Sequence, residues 1–209
     1  MQKKFVTQIL GVAFGVVLMG FAISWLVPCG FGTDAFTTLN LAISDRLGIS
    51  FGTWQAGLNI VLFLIVLVCD RKLIGIGTFA NMLLVGYICD FFSWIWGFTL
   101  PADFFAPLAT RVLVAIPALG LFVLSAAVYM DMGLGMSPYD ALPFLLHKAV
   151  GRVPFGALRI VYDLVTIGLG YVFGAPFAAV TLAMAFLLGP AVQAVGNWID
   201  RVVFKTQTP

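Results

Sequence analysis

The sequence predicts an all-α membrane protein of six transmembrane helices, arranged as two inverted three-helix repeats that each carry a short interfacial or re-entrant helix. Three observations lead there: apolar runs of membrane length, a one-sided placement of basic residues, and a glycine-led motif that recurs half a chain later. Of 209 residues, 62% are hydrophobic and 10% charged, which leaves too little polar surface for a soluble domain.

The apolar runs come in order. Phe5–Val27 holds 23 residues without a charge. Gly52–Cys69, Leu73–Phe98, Val112–Met130, Phe155–Phe173 and Pro176–Val195 follow, each near the ~20 residues that cross a ~30 Å hydrocarbon core. The third run contains one acid, Asp90. The first run follows Lys3 and Lys4 but exceeds a signal-peptide core and lacks a small-x-small cleavage site, so it reads as a span. The whole chain, 1–209, reads as one membrane domain, with repeat 1 near 5–98 and repeat 2 near 109–200.

Six crossings put both termini on one side, with Lys3, Lys4, Arg71, Lys72, Lys148, Arg152, Arg201 and Lys205; the other side has Arg46 and Arg111. Eight against two places the termini in the cytoplasm by the positive-inside rule. The net charge of +2 thus reflects topology and not nucleic-acid binding. Cys29, Cys69, Cys89 and the lone His147 have no metal-ligand or disulfide spacing, so no metal and no cofactor is expected.

The recurring motif is "GFGTDAFTTLNLAI" from Gly30 and "GLGMSPYDALPFLL" from Gly133. Aligning Gly30 with Gly133 brings Gly32 onto Gly135 and Gly48 onto Gly151. A one-residue slip then lays "FGTWQAGLN" over "FGALRIVYD", and further on Thr78 and Gly86 fall on Thr181 and Gly189. Three spans is an odd number, so the second copy lies upside down relative to the first, as in many secondary transporters. The segment Asp34–Leu47 has Phe36, Leu39, Ile43 and Leu47 near one helical face. Its fourteen residues would extend only ~21 Å as a helix. In the second copy Ser137 reads as a helix cap, Pro138 as the first-turn residue and Asp140 as the acid three after the cap, with Pro143 expected to bend or break the helix. Gly30, Gly32, Thr33, Asp34, Gly133, Gly135, Ser137 and Asp140 are therefore candidate gating elements at the two mouths of a pathway. The competing reading is a plain glycine turn joining a span to a surface helix. Gly11, Gly15 and Gly57 are candidates for close helix contact, and "FFSWIW" for an aromatic belt at the membrane interface.

The stretches "GFGTDAFTTL", "GISFGTWQAGLNIVL", "GIGTFANMLLVGYICD", "GLGMSPYDAL" and "GRVPFGALRIVYD" together resemble the YczE/YyaS/YitT family of bacterial membrane proteins, in particular its YczE-like branch. The resemblance covers most of the chain and implies a six-span, transporter-like protein of the bacterial inner membrane. It supplies no substrate. The first copy departs from the pattern: Thr33-Asp34 stands where a Ser/Thr-Pro pair is expected, as Ser137-Pro138 retains.

An ionisable group within a span costs at least ~2.5 kcal/mol on insertion scales, so each needs a partner or a purpose. Arg159 and Asp163 lie four apart on the fifth span, hence on one face. Their repeat counterparts are Gln55 and Asn59, while Asp90 pairs with Gln193. These six are the candidate substrate- or ion-binding residues, expected to converge on a central cavity. Arg159 is then an anchor for an anionic solute, and Asp163 its counter-ion or a proton carrier; the alternative is a structural ion pair with hydrogen-bonding amides across from it. No nucleotide loop, nucleophile elbow or zinc-protease helix is present, so an enzyme is not expected. The function expected is secondary transport or export of a small solute, an anion being one option, by alternating access. The other classes are a membrane accessory protein that scaffolds a partner, and a passive channel formed as a homodimer.

Overall fold

The computed structural model describes residues 2–199. Among them the chain forms α1 (Gln2–Cys29), α2 (Ala35–Leu47), α3 (Phe51–Cys69), α4 (Ile76–Thr99), α5 (Leu108–Asp131), α6 (Pro138–Val150), α7 (Phe155–Val172) and α8 (Ala179–Ile199), with a 3-10 turn at Arg71–Leu73. An all-helical answer is what an apolar solvent demands, because a helix satisfies its backbone groups within one segment. Six helices are long and apolar enough to cross a bilayer: Phe5–Cys29, Phe51–Cys69, Ile76–Thr99, Leu108–Asp131, Phe155–Val172 and Ala179–Trp198. The two others, α2 and α6, have 13 residues each, ~20 Å of helix. Of the basic residues used for orientation, Arg201 and Lys205 lie outside the described residues, as do the side chains of Lys3 and Lys4.

Local signals set the ends of the short helices. Asp34 Oδ1 accepts the Thr37 amide at 3.0 Å and starts α2. Ser137 Oγ accepts the Asp140 amide at 3.1 Å and starts α6. Gly48 and Gly151 close them in the left-handed conformation, with φ of 66° and 65°, where a Cβ is unfavourable. Pro143 does not break α6. The helix continues to Val150 with Pro143 fully buried, so burial of the ring outweighs the one hydrogen bond that its missing N–H forgoes.

The core lies around α1, which packs against α4 and α5; α3 packs on α4, and α8 on α5 and α7. Val12, Val16, Ile23 and Leu26 of α1 are buried against Val85, Phe122 and Tyr129. Lipid is as apolar as leucine, so close fit rather than expulsion from water drives these contacts. Gly15 and Gly20 allow it: a Cβ there would stand 3.0 Å from the Ser125 carbonyl oxygen and 2.7 Å from that of Val85. Gly11 is closed off by the Met132 side chain, whereas Gly57 faces open space and serves no close contact. The aromatic run of α4 divides. Trp94 and Phe98 are exposed in the manner of an interface belt, but Trp96 turns inward, stacks near Trp25 and donates to Ser24 Oγ at 3.0 Å.

The short helices pack between the two halves. α2 lies mainly against α7, with contacts to α3 and α8, and α6 lies against α3 and α7. The glycine loops that precede them are tied to the opposite half. Gly77 N at the start of α4 donates to Leu134 O at 2.8 Å, and Val180 N at the start of α8 donates to Phe31 O at 3.2 Å. Gln8 Nε2 reaches Met132 O at 2.8 Å, and Arg111 Nε reaches Cys29 O at 2.6 Å, which satisfies an orphan carbonyl at the end of α1.

Gly32 and Gly135 have φ of 96° and 99°. A Cβ on Gly135 would collide with the Gly75 backbone, and one on Gly32 with the Thr181 hydroxyl and the Ala178 methyl. Packing thus requires both glycines, whatever else they do. Gly135→Ala is expected to lower stability by about 2 kcal/mol or more, from backbone strain and overpacking together. Gly120→Ala, which meets nothing within 4 Å, is expected to leave it unchanged. Thermal unfolding of the purified protein in detergent checks both, and equal melting temperatures for the two variants would contradict the account.

Candidate functional site

The first turns of α2 and α6 meet inside the molecule. Phe36 and Tyr139, which occupy the same place in the two motifs, stack with ring centroids 4.4 Å apart. Around this contact lies a charged network. Arg159 of α7 places Nη1 2.8 Å from Asp140 Oδ1 and Nε 3.1 Å from Asp163 Oδ2. Its guanidinium carbon is 5.6 Å from the centre of the Tyr139 ring. The Tyr139 hydroxyl donates to Asp163 Oδ1 at 2.6 Å, and Ser137 Oγ donates to Asp140 Oδ2 at 2.6 Å. One rigid guanidinium thus bridges two carboxylates, and each carboxylate has its other oxygen filled by a hydroxyl. A planar, permanently charged fork suits that task where a lysine would not.

Next to the network is a cavity of about 10 Å³, lined by Asp34, Tyr139, Arg159 and Asp163 with Met184 and Leu188 of α8. It has room for about one water molecule. Asp34 Oδ2 is buried without a hydrogen-bond partner. Beyond it a second cavity of about 500 Å³ opens between α2 and the connection from α7 to α8. Thr33, Thr38, Ala42, Asp45 and Arg46 line one side, and residues 173–176 the other. Two of its lining residues belong to a chain of hydroxyls that runs inward to buried Thr181: Thr33 Oγ1 is 3.1 Å from Thr38 Oγ1, which is 3.2 Å from Thr181 Oγ1. The sequence neighbours Thr33 and Asp34 therefore line different compartments.

At the other end of the molecule, Lys148 of α6 forms an ion pair with Asp70 of the α3–α4 connection at 2.9 Å. Met136 N donates to Leu73 O at 3.2 Å across the same seam. The bond from Lys148, helped by the Lys72 amide, holds the Asp70 carboxyl below the usual carboxylate range.

The six candidates on the spans do not all converge. Arg159 and Asp163 line the small cavity. Gln55 and Asn59 are buried on α3, yet Gln55 Oε1 and both polar atoms of the Asn59 side chain have no partner. Asp90 instead caps a helix: its Oδ2 accepts the Gly52 amide at 2.8 Å in the first turn of α3. Gln193 is exposed on α8. Of the loop candidates, Asp34, Ser137 and Asp140 belong to the charged centre, while Gly30, Gly32 and Thr33 border the larger cavity. Gly133 has φ of 63° and open space where a Cβ would stand. Tyr139 was missed, although its place between a capping serine and an acid marked it as a first-turn residue facing whatever the helix start faces.

The family of unknown function DUF6198 matches residues 6–197. The chain belongs to this family. Its relatives include the uncharacterized protein YyaS of Bacillus subtilis strain 168, 23% identical over 192 residues, covering 90% of this chain and 91% of that protein. A second is the uncharacterized membrane protein YczE of the same organism, 24% identical over 177 residues, covering 84% of this chain and 79% of that one. The YczE/YyaS assignment made from the motifs therefore holds. No solved structure matches the chain.

In this DUF6198 protein, removal of the shared cation should hurt more than removal of either acid. Arg159→Gln strands two carboxylates and is expected to cost about 3–5 kcal/mol. Adding Asp163→Asn should recover only part of that loss, because Asp140 remains unpaired, and a triple variant with Asp140→Asn should recover more. Thermal unfolding across the set checks the order. Full recovery in the Arg159→Gln, Asp163→Asn double variant would show that Asp140 carries no share.

Proposed function

We propose that the protein is a secondary transporter of a small solute, built from two inverted repeats and working by alternating access across the inner membrane, with its termini in the cytoplasm. The repeat reading is supported by contacts that recur when the two halves are exchanged, 103 being added to first-half numbers and subtracted from second-half ones. Gln8 to Met132 O becomes Arg111 to Cys29 O, and Gly77 to Leu134 O becomes Val180 to Phe31 O. The helix contacts recur as well: α1 on α4 matches α5 on α8, α3 on α4 matches α7 on α8, and α2 on α7 matches α6 on α3. Three spans per half make such a match an inverted one.

The observation that carries the transport reading is a difference between the two ends. Between α2 and the α7–α8 connection the seam opens into a cavity of about 500 Å³. At the repeat-equivalent seam, α6 and the α3–α4 connection are joined by Lys148–Asp70 and Met136–Leu73. A pair of equivalent seams, one open and one closed over a charged centre, is what one state of an alternating-access carrier requires. Exchange of the two arrangements would present the centre to the other face. Arg159 is committed to two carboxylates, so the geometry gives less support to a free anion anchor than the sequence did, and the solute is left as small and of either charge.

The test is flux in proteoliposomes, screened with panels of organic anions, amines, amino acids and sugars. Transport of at least one class, lost when Ala42→Trp fills the open cavity, is the expected result. Flux of none, with correctly inserted protein, would favour the accessory-protein reading.

The closed seam makes a second expectation. Exposed ion pairs are weak, so Asp70→Asn is expected to raise the labelling rate of a cysteine at Leu145 by about two- to five-fold, measured with an impermeant thiol reagent after removal of native cysteines. The sign of the pH effect follows from Asp70. A carboxyl held below its ordinary value keeps the pair as pH falls through that ordinary value and loses it only at the lowered one. Labelling at Leu145 should therefore not change through this pair between about pH 5 and 8.

A further inference from the structure

We propose that Asp34 is a proton-binding site, taking up a proton from water in the open cavity and holding it on its free carboxylate oxygen. The coupling of that proton to solute movement rests on the transport reading, whereas the binding itself does not.

Asp140 and Asp163 pair with the Arg159 guanidinium, and Asp34 lines the small cavity together with Arg159 and Asp163. Asp140 and Asp163 each accept from Arg159 and from a hydroxyl, so both are compensated. Asp34 has no ion-pair partner among the described residues. Its Oδ1 accepts the Thr37 amide, and its Oδ2 is buried without any partner, beside the cavity that Arg159 and Asp163 also line. An ionised carboxylate in that position is strongly disfavoured, and uptake of a proton removes the charge. With Asp34 neutral, the side chains sum to one negative charge, and the helix starts of α2 and α6 each offer about half a positive charge to offset it. With Asp34 ionised, one full charge is left uncompensated.

A proton suits this place better than a metal ion. The cavity of about 10 Å³ has the Arg159 guanidinium in its wall, which repels any cation needing a shell of oxygens. Among the described residues no three carboxylates, thiols or imidazoles are placed to hold a metal. The route is short as well. Thr33, the preceding residue, lines the open cavity, so Asp34 stands at the partition between a compartment wide enough for many waters and a centre with room for about one. The ionisable groups facing it are Tyr139 and Asp140 from α6, and Arg159, Tyr162 and Asp163 from α7; α3 and α8 present none among the described residues near this end of α2. The transfer needs no other reactant: hydronium gives its proton to Oδ2 and leaves as water, and the reverse step releases it.

Infrared difference spectroscopy of the purified full-length protein, between low and high pH, reads the carbonyl stretch of a protonated carboxyl group directly. The expected result is such a band in the wild type, lost in Asp34→Asn and kept in Asp163→Asn. Asparagine retains the helix cap, and Asp34→Ser gives a second capping variant should the first fold poorly. Persistence of the band in both Asp34 variants, or no such band in the wild type at any pH, overturns the proposal. In proteoliposomes, a pH gradient should drive uptake of a transported solute in the wild type and not in Asp34→Asn. Uptake indifferent to the gradient would remove the coupling role and leave transport standing. A titrating band with no flux of any solute would remove the transport reading and leave the proton site.

Discussion

The bridge from Arg159 to Asp140 and Asp163 is the interaction on which the rest of the centre depends. It joins α7 to the first turn of α6. The same two carboxylates position Ser137 and Tyr139, and Tyr139 in turn stacks on Phe36 at the start of α2. In an apolar interior a charge must be paired or neutralised, so this one cation fixes where two half-length helices can end. Without it, Asp34 and Asp163 would line a space about the size of one water molecule, with Asp140 left unpaired beside it.

Half-length helices are otherwise poor elements for an apolar interior, since each buries an end with unsatisfied polar groups. The chain solves this twice. Asp34 and Ser137 satisfy first-turn amides, and the preceding glycine loops bond to the start of a spanning helix in the other half. The halves are therefore interlocked rather than merely adjacent. Their differences are informative too. Asp34 stands at the position of Ser137, and Phe36 at that of Tyr139; the second half thus has a fully bonded network, while the first has an unpaired acid and a buried Asn59 with no partner. On the proposed repeat reading, this unequal polar content can give the two faces different roles.

Much of this was legible in the sequence. The six spans follow from apolar length, and the cap at Ser137 from residue chemistry; the cap at Asp34 and the glycine ends at Gly48 and Gly151 obey the same local rules but were not read from the sequence. The i, i+4 spacing showed that Arg159 and Asp163 share a face. What spacing could not show is which side chains from different helices meet. Asp140 as a second partner for Arg159, Asp90 as a cap for α3, and the outward placement of Gln193 all depend on how helices rotate and pack, and a periodicity carries no such information. Pro143 illustrates a related limit: a local rule for helix breaking lost to burial on neighbouring helices.

In an alternating-access carrier of this build, the two equivalent seams open in turn. Distances between spin labels measured by pulsed electron resonance test it directly, with one pair at Ala42 and Pro176 across the open seam and another at Leu145 and Leu73 across the closed one. In liposomes the account predicts two distance populations for each pair, with conditions that lengthen one shortening the other. A single fixed distance for each pair under all pH values and solutes would contradict it.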